Sequence, residues 1–491
     1  MTLDIEVTRT PLRLRPDPGR VVARLFVPGQ EGLLEGESRA GSVVERILAL
    51  DDATARVALA GVYEWFSDRH RDLGAVLDEH FELVAHRFAR PLELSDTRRR
   101  LVGSYFTQEF AVEAAALCNP SLVVHPDQTG TQPGETRCIM SLRAIGEGHI
   151  SSVEFRTGIV RDSGSFRLDE PDRYVVSGNL VKRRYGREHF RRALHASDDW
   201  GSSASFVLDS LPATFDVDEL ELVLRSLRDQ IVTRWDAERT IERFRLAAAS
   251  NYELSFPEAS SISERVLLPS TPAESHGMED ARFVRFVDDD GTLSYLATYT
   301  AYDGAHVAPH LLETTDFRTF RSTQMTGKAA TNKGLALFPR RVGGRFVALS
   351  RWDREGNSLV TSDDPTVWED PVSLDRRNGA WDLVQRGNCG SPIETAAGWL
   401  VITHGVGPMR SYAIGAELLD LEDPSRVIGQ LREPLVVPTA DERDGYVPNV
   451  VYSCGSLVVG DTLVVPYGMS DASVGVLTVA LGSLLGRLAG S

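Results

Sequence analysis

The chain has 491 residues, of which 42% are hydrophobic and 25% charged, and a formal net charge of −17. That length allows about two to four domains, or fewer where a barrel or propeller spreads one domain over more residues. The acidic balance excludes broad binding of a nucleic-acid backbone but leaves room for a small cationic pocket. No run of about eighteen apolar residues is present to span a membrane.

The first residues, Met1 to Glu6, carry acids where a signal peptide needs basic residues and then an apolar core. Cys118, Cys138, Cys389 and Cys454 are far apart, without the C-x-x-C spacing of a zinc or redox site. They are expected to be buried free thiols in a reducing cytoplasm, and no metal is expected.

Residues 7–30 alternate apolar and polar and predict one or two strands before the Pro28-Gly29 break. Residues 38–115 change to helical spacing. Val44, Ile47 and Leu48 share one face, as do Val62, Trp65 and Phe66, and then Val76, Leu77, Phe81, Val84 and Phe88. Asp51-Asp52 and Ser95-Asp96 read as N-caps. Three to five helices are expected, with the aromatic stripe in their core.

From about residue 119 short apolar runs alternate with Gly, Asp and Asn turns: 139–142, 174–176, 345–349, 399–402, 456–459 and 463–467. Regular short strands of this kind predict a sandwich, barrel or propeller. Residues 216–250 interrupt them. Leu220, Leu224, Leu227 and Ile231 mark a helix opened by Asp216 and Asp218, and Ile241, Phe244 and Leu246 continue it.

The chemistry is expected around Ser275-His276-Gly277-Met278-Glu279-Asp280-Ala281-Arg282. Neighbouring residues on a strand face opposite ways, so one acid enters a pocket while the other, or Arg282, braces it. A carboxyl so placed serves as a general acid if burial raises its pKa. Further polar clusters follow the strands. They are Arg143 with Gly146, Gly148 and His149; Asn332-Lys333-Gly334; Arg351-Trp352-Asp353; Gln385-Arg386-Gly387-Asn388; His404-Gly405-Val406 with Arg410 and Tyr412; and Asn449 to Gly455 with Asp471 beyond. Each alone also reads as a turn with solvated charges. Together, Arg351, Arg386, His404 and Arg410 at strand ends predict a local cationic pocket suited to phosphate. No G-x-x-x-x-G-K-[ST] loop, G-x-S-x-G elbow or H-E-x-x-H pair is present.

In this order over residues 119–480, the motifs Gly277 to Arg282, Asn332-Lys333-Gly334, Pro392-Ile393 with Gly398-Trp399-Leu400, His404-Gly405-Val406, and Asn449 to Gly455 with Tyr467-Gly468 resemble glycoside hydrolase family 130, the mannoside phosphorylases and β-mannosidases. Ala281 departs from the family's usual proline. The resemblance implies a mainly β fold: a five-bladed β-propeller over 116–485, interrupted by the helical insertion, and preceded by an N-terminal strand and α-helical module over 1–115. The long N-terminal module resembles members acting on β-1,2-linked oligomannans.

The resemblance further implies an inverting enzyme with Asp280 as catalytic acid and inorganic phosphate as co-substrate, without a cofactor. It places Arg351, Arg386, His404 and Tyr412 around phosphate, with Arg386 standing in for a lysine. Arg143, His149, Asn332, Lys333 and Asp471 are placed around the β-mannoside. Phosphorolysis to α-mannose 1-phosphate is the favoured activity. Hydrolysis with Glu394 as the base for water, with a second carboxylate about 6.5–9.5 Å from the first, is the alternative. A non-catalytic glycan-binding propeller is a third. A homo-oligomeric assembly is left open.

Overall fold

The computed structural model describes residues 5–28, 39–85, 94–196, 200–228, 236–374, 377 and 379–490. Phe88, Gly29 and Ile231, named above, lie outside them. The chain divides into two compact units, one of residues 17–114 with 172–176, the other of the remainder.

The smaller unit has helices Arg39–Leu48, Asp52–Phe66, Leu73–Ala85 and Asp96–Tyr105, and pairs strands Val21–Leu25 and Thr107–Ala111. Asp51 caps the second helix by accepting from the Ala53 and Thr54 amides, and Ser95 caps the fourth by accepting from Arg98. Val44, Ile47, Leu77, Phe81 and Leu101 fill the core. Trp65 departs from the expected stripe. It is 75% exposed, because Ala55 and Leu59 carry the buried face of its helix.

The larger unit is mainly β. Its strands form five antiparallel groups. The first is Ala116–Val124, Glu135–Ile145 and Ser151–Arg161. The second runs Gly277–Val287, Leu293–Tyr302, Val307–Thr314 and Thr319–Gln324, and a single parallel bridge from Gly277 to Ser151 links it to the first. The third holds Ala336–Leu337, Phe346–Ser350, Ser358–Ser362 and Val372–Ser373. The fourth holds Gln385–Asn388, Gly398–Val406, Tyr412–Leu419 and Val427–Gln430. The fifth holds Val451–Tyr452, Thr462–Met469 and Ser473–Ala480, and the N-terminal strand Val7–Arg9 pairs with its last member. That first strand therefore belongs with the β unit, although the sequence reading grouped it with the helices. Strands such as Gly398–Val406 are buried along their whole length, so apolar–polar alternation is lost in them.

The helical insertion is longer than expected. Helices Arg187–Ala196 and Ser202–Ser210 precede Val217–Arg228 and Ala237–Ala249. Asp216 and Glu219 accept from each other's amides at 2.9 Å, a reciprocal cap at the predicted start. Phe190, Leu208, Phe215, Leu220, Leu224 and Phe244 make a core of their own. All four cysteines are free and buried. No described helix is long and apolar enough to cross a membrane.

Candidate active site

Two bulges set the floor of a cavity. Gly277–Val287 pairs in register to Glu279, slips, and resumes at Arg282, with Asp280 in the slip at φ 58°. Ala116–Val124 slips between Cys118 and Ser121, with Asn119 at φ 50°. Left-handed backbone at a non-glycine residue costs about 1–3 kcal/mol and persists only where surroundings fix it. Arg410 and Asp471 share it, at φ 54° and 49°.

The bulge changes what two adjacent acids can do. On a regular strand they would part. Here both meet Arg143, whose Nη2 lies 2.6 Å from Glu279 Oε1 and Nη1 3.3 Å from Asp280 Oδ1. Asn119 Nδ2 donates to Asp280 Oδ1 at 2.5 Å. Lys333 Nζ contacts the other oxygen of Glu279. Arg282 donates to the Asp280 carbonyl at 2.9 Å and to the Tyr452 hydroxyl at 2.8 Å.

Charge here reverses one expectation. Burial acts to raise the Asp280 pKa, but Arg143, Arg282 and Lys333, with the Asn119 bond, outweigh it and lower it to about 2. Asp471 goes the other way. Burial raises it to about 6 against the pull of Arg143.

The cavity has a volume of about 200 Å³ and draws side chains from all five strand groups and the loops between them. Asn119 and Arg143 come from the first, Asp280 from the second, Lys333 and Arg351 from the third, Gln385, His404, Arg410 and Tyr412 from the fourth, and Tyr452 and Asp471 from the fifth. Eight residues given to the site or its cationic pocket from the sequence thus line one cavity: Arg143, Asp280, Lys333, Arg351, His404, Arg410, Tyr412 and Asp471.

Three named residues do not line it. Arg386 is buried behind it, 3.1 Å from Asp382 and 3.4 Å from Glu417. Strand parity explains the change: Gln385, one residue earlier, faces the cavity instead. Asn332 donates to the Arg351 carbonyl at 3.1 Å and so acts on the backbone beside the site. His149 is exposed, with Nδ1 3.2 Å from the Tyr446 hydroxyl. Glu394, weighed as a base for water, is held by Arg340 at 2.8 and 2.6 Å and is not among the lining residues.

His404 is not a cation. Burial and the neighbouring Arg351 and Arg282 push its pKa well below the usual imidazole range. Its Nδ1 faces the Asn388 carbonyl at 3.1 Å, so Nε2 accepts from Arg351 Nη1 at 2.9 Å and from Gln385 at 3.0 Å. Gly387 makes room for this arrangement, since a Cβ there would meet the imidazole at 2.5 Å. Arg351 Nε is buried without a hydrogen-bond partner among the described residues. Arg351 Nη1 goes to the neutral His404 and not to a carboxylate, while Arg410 is near enough to Asp471 to draw its pKa down. Among the described residues, no group of three or more His, Cys, Asp or Glu side chains has a metal-binding arrangement. Asn119 is absent from the clusters read in the sequence, and Gln385 stands in one of them without a role. Asn119 before Pro120 was a visible turn signal; nothing in the sequence set Gln385 above Arg386.

Residues 233–488 match the glycoside hydrolase family 130 pattern, described as β-1,4-mannooligosaccharide phosphorylase. A 1,2-β-oligomannan phosphorylase from a Thermoanaerobacter species is 34% identical over 225 residues, 44% of this chain and 72% of that protein. A β-1,2-mannobiose phosphorylase from the same genus is 28% identical over 287 residues, 57% of this chain and 91% of that protein. The solved β-1,2-mannobiose phosphorylase of Listeria innocua, in complex with β-1,2-mannobiose, aligns with a TM-score of 0.46 at 20% identity, covering 78% of this chain and 94% of that one. With more than half of its length matched, the chain belongs to glycoside hydrolase family 130.

Proposed function

We propose that the protein is an inverting glycoside phosphorylase that cleaves β-mannosides, with β-1,2-linked oligomannan as the substrate class, and releases α-mannose 1-phosphate. The relatives' names, 1,2-β-oligomannan phosphorylase and β-1,2-mannobiose phosphorylase, support that substrate class. The observation that carries the reaction type is Arg351 lining the same cavity as Asp280 with its Nη1 on the neutral His404 rather than on a carboxylate, and Arg410, which draws down the Asp471 pKa, beside it. An anionic nucleophile fits such a place, and a water molecule has no use for it.

In this reading a phosphate oxygen attacks the anomeric carbon on the face opposite the leaving saccharide. The glycosidic bond breaks, and Asp280 delivers a proton to the leaving oxygen through a hydroxyl of the bound mannose. Inversion gives the α-phosphate. Asp471, which lines the cavity beside Arg143 and Arg410, takes mannose hydroxyls. Arg143 orients Asp280, and His404 with Gln385 orients Arg351. Inorganic phosphate is the co-substrate, and no further cofactor is invoked.

The five antiparallel groups around one cavity support a five-bladed propeller over 116–485 as the catalytic domain. A cytoplasmic setting fits four free buried thiols.

The test is product analysis on β-1,2-mannobiose with and without phosphate. Mannose 1-phosphate forms only when phosphate is present. Free mannose appearing equally fast without phosphate would replace this reading with a hydrolase.

A further inference from the structure

A second cavity, of about 460 Å³, lies where the helical insertion meets the β groups. Arg243 and Leu246 line it from the helix Ala237–Ala249, and Thr326, Lys328, Thr331 and Glu369 line it from the other side. Arg243 and Leu246 lie within the family-matched residues, whereas Ala193 and Leu194, which also line the cavity, come from the helix Arg187–Ala196 ahead of them.

Its position ties it to the catalytic cavity. Lys328 and Thr331 line the larger cavity, and Lys333 lines the catalytic one. Lys333 lies five positions after Lys328, a span of at most about 18 Å even fully extended, and Lys328–Ala330 is coiled into a 3₁₀ turn. Trp352 stands on the same partition. It follows Arg351, which lines the catalytic cavity, and its ring takes Lys328 Nζ at 4.5 Å.

The partition is built to hold still. Thr326 and Trp368 exchange backbone hydrogen bonds with their neighbours at 2.8 Å, and Ala329 donates to the Trp368 carbonyl at 2.9 Å. Gly327 has φ 101°, and a Cβ there would meet the Trp368 carbonyl at 2.2 Å. The Lys328 amide donates to Glu369 at 3.0 Å. A preformed wall loses little entropy when a ligand binds.

The lining selects the chemistry of the guest. Two cationic side chains and one acid, two hydroxyls and an apolar patch suit a neutral ligand with many hydroxyls and C–H faces. Leu246 marks the apolar part. It is 39% exposed while Ile241 and Phe244 of its helix are buried. We propose that this cavity is a distal subsite for the oligomannan chain, with Trp352 as the platform between it and the reacting end. The insertion thereby makes the enzyme favour long substrates over the disaccharide. This rests on the mannoside reading above.

The experiment compares β-1,2-mannobiose with longer oligomers up to the hexaose, in wild type and in Leu246→Trp and Arg243→Ala. In wild type, kcat/KM for phosphorolysis rises about ten-fold or more from disaccharide to longer oligomer. Both variants lose that rise, while mannobiose turnover stays within about two-fold, as expected for surface changes outside the catalytic cavity. A flat length profile in wild type, or an unchanged rise in both variants, overturns the distal subsite. Calorimetric titration of the same oligomers without phosphate gives an independent readout. Tighter binding of longer chains in wild type but not in Leu246→Trp supports the subsite even if phosphorolysis itself is absent. Equal affinities at every length refute it, whatever the reaction proves to be.

Discussion

His404 Nε2 lies 2.9 Å from Arg351 Nη1, and the two side chains share a wall of the same cavity. Because Nδ1 faces a backbone carbonyl, the imidazole is a neutral acceptor that aims a guanidinium. Replacing His404 by Gln keeps an acceptor amide near Arg351 and loses the second anchor at Asn388. The expected outcome is a phosphate KM raised about ten-fold, with a smaller change in kcat, since the loss is chiefly of positioning. Equal losses in phosphate and glycan KM would show that His404 serves the cavity generally.

Asp280→Asn removes the proton donor but keeps the shape. Turnover falls by about 10² to 10⁴, the usual contribution of a positioned acid. The same variant tests the electrostatics. The folded pKa of Asp280, about 2, lies below its ordinary value of 3.8. Its ionised form therefore contributes stability that is complete above pH 4 and is lost as pH falls toward 2, an effect of order 2 kcal/mol. Melting temperature followed from pH 5 to pH 2 should fall more steeply in wild type than in Asp280→Asn. Parallel curves would mean that the surrounding cations do not hold Asp280 ionised.

Asp471 predicts the opposite sign. Its pKa is raised to about 6, so the folded state holds a proton that the unfolded chain has released. Stability contributed by this group falls as pH rises from about 4 to 6, and above that range the ionised carboxylate costs about 3 kcal/mol. Asp471→Asn should raise the melting temperature at pH 7 while weakening glycan binding. A destabilised variant at pH 7 would assign Asp471 a structural role.

Glu394 tests the hydrolytic alternative. Its carboxylate is paired in a fork with Arg340 and lines a separate, mostly apolar cavity. Glu394→Gln should leave phosphorolysis, and any background hydrolysis, within about two-fold of wild type. A selective loss of hydrolysis would restore it as a base.

Much of this architecture was legible in the chain. The apolar runs at 399–402 and 463–467 became strands, and Asp51, Ser95 and Asp216 cap helices as their spacing predicted. Eight of the named site residues meet in one cavity, on strands or in the loops that join them. Features that depend on register were not legible. Arg386 and Gln385 differ by one residue, which on a strand is the choice of face. The slips at Asp280 and Asn119 carry no composition signal, yet they bring two acids onto one arginine. The early insertion helices were missed because Phe190, Leu194, Val207 and Leu208 are spread over two short segments, neither long enough to display a period.

The depressed pKa of Asp280 raises a question of timing, since a proton donor must hold a proton when the bond breaks. Arg143, Arg282 and Lys333 keep it ionised in the free protein. A phosphate dianion in the same cavity would oppose that field and push the Asp280 pKa up. Asp280 would then take up a proton as phosphate binds. Phosphate binding measured by calorimetry at pH 7, in buffers of different ionisation enthalpy, should therefore report net proton uptake approaching one. In Asp280→Asn the uptake should fall toward zero while phosphate still binds. Uptake that is absent in wild type, or undiminished in the variant, would separate Asp280 from the proton that the reaction consumes.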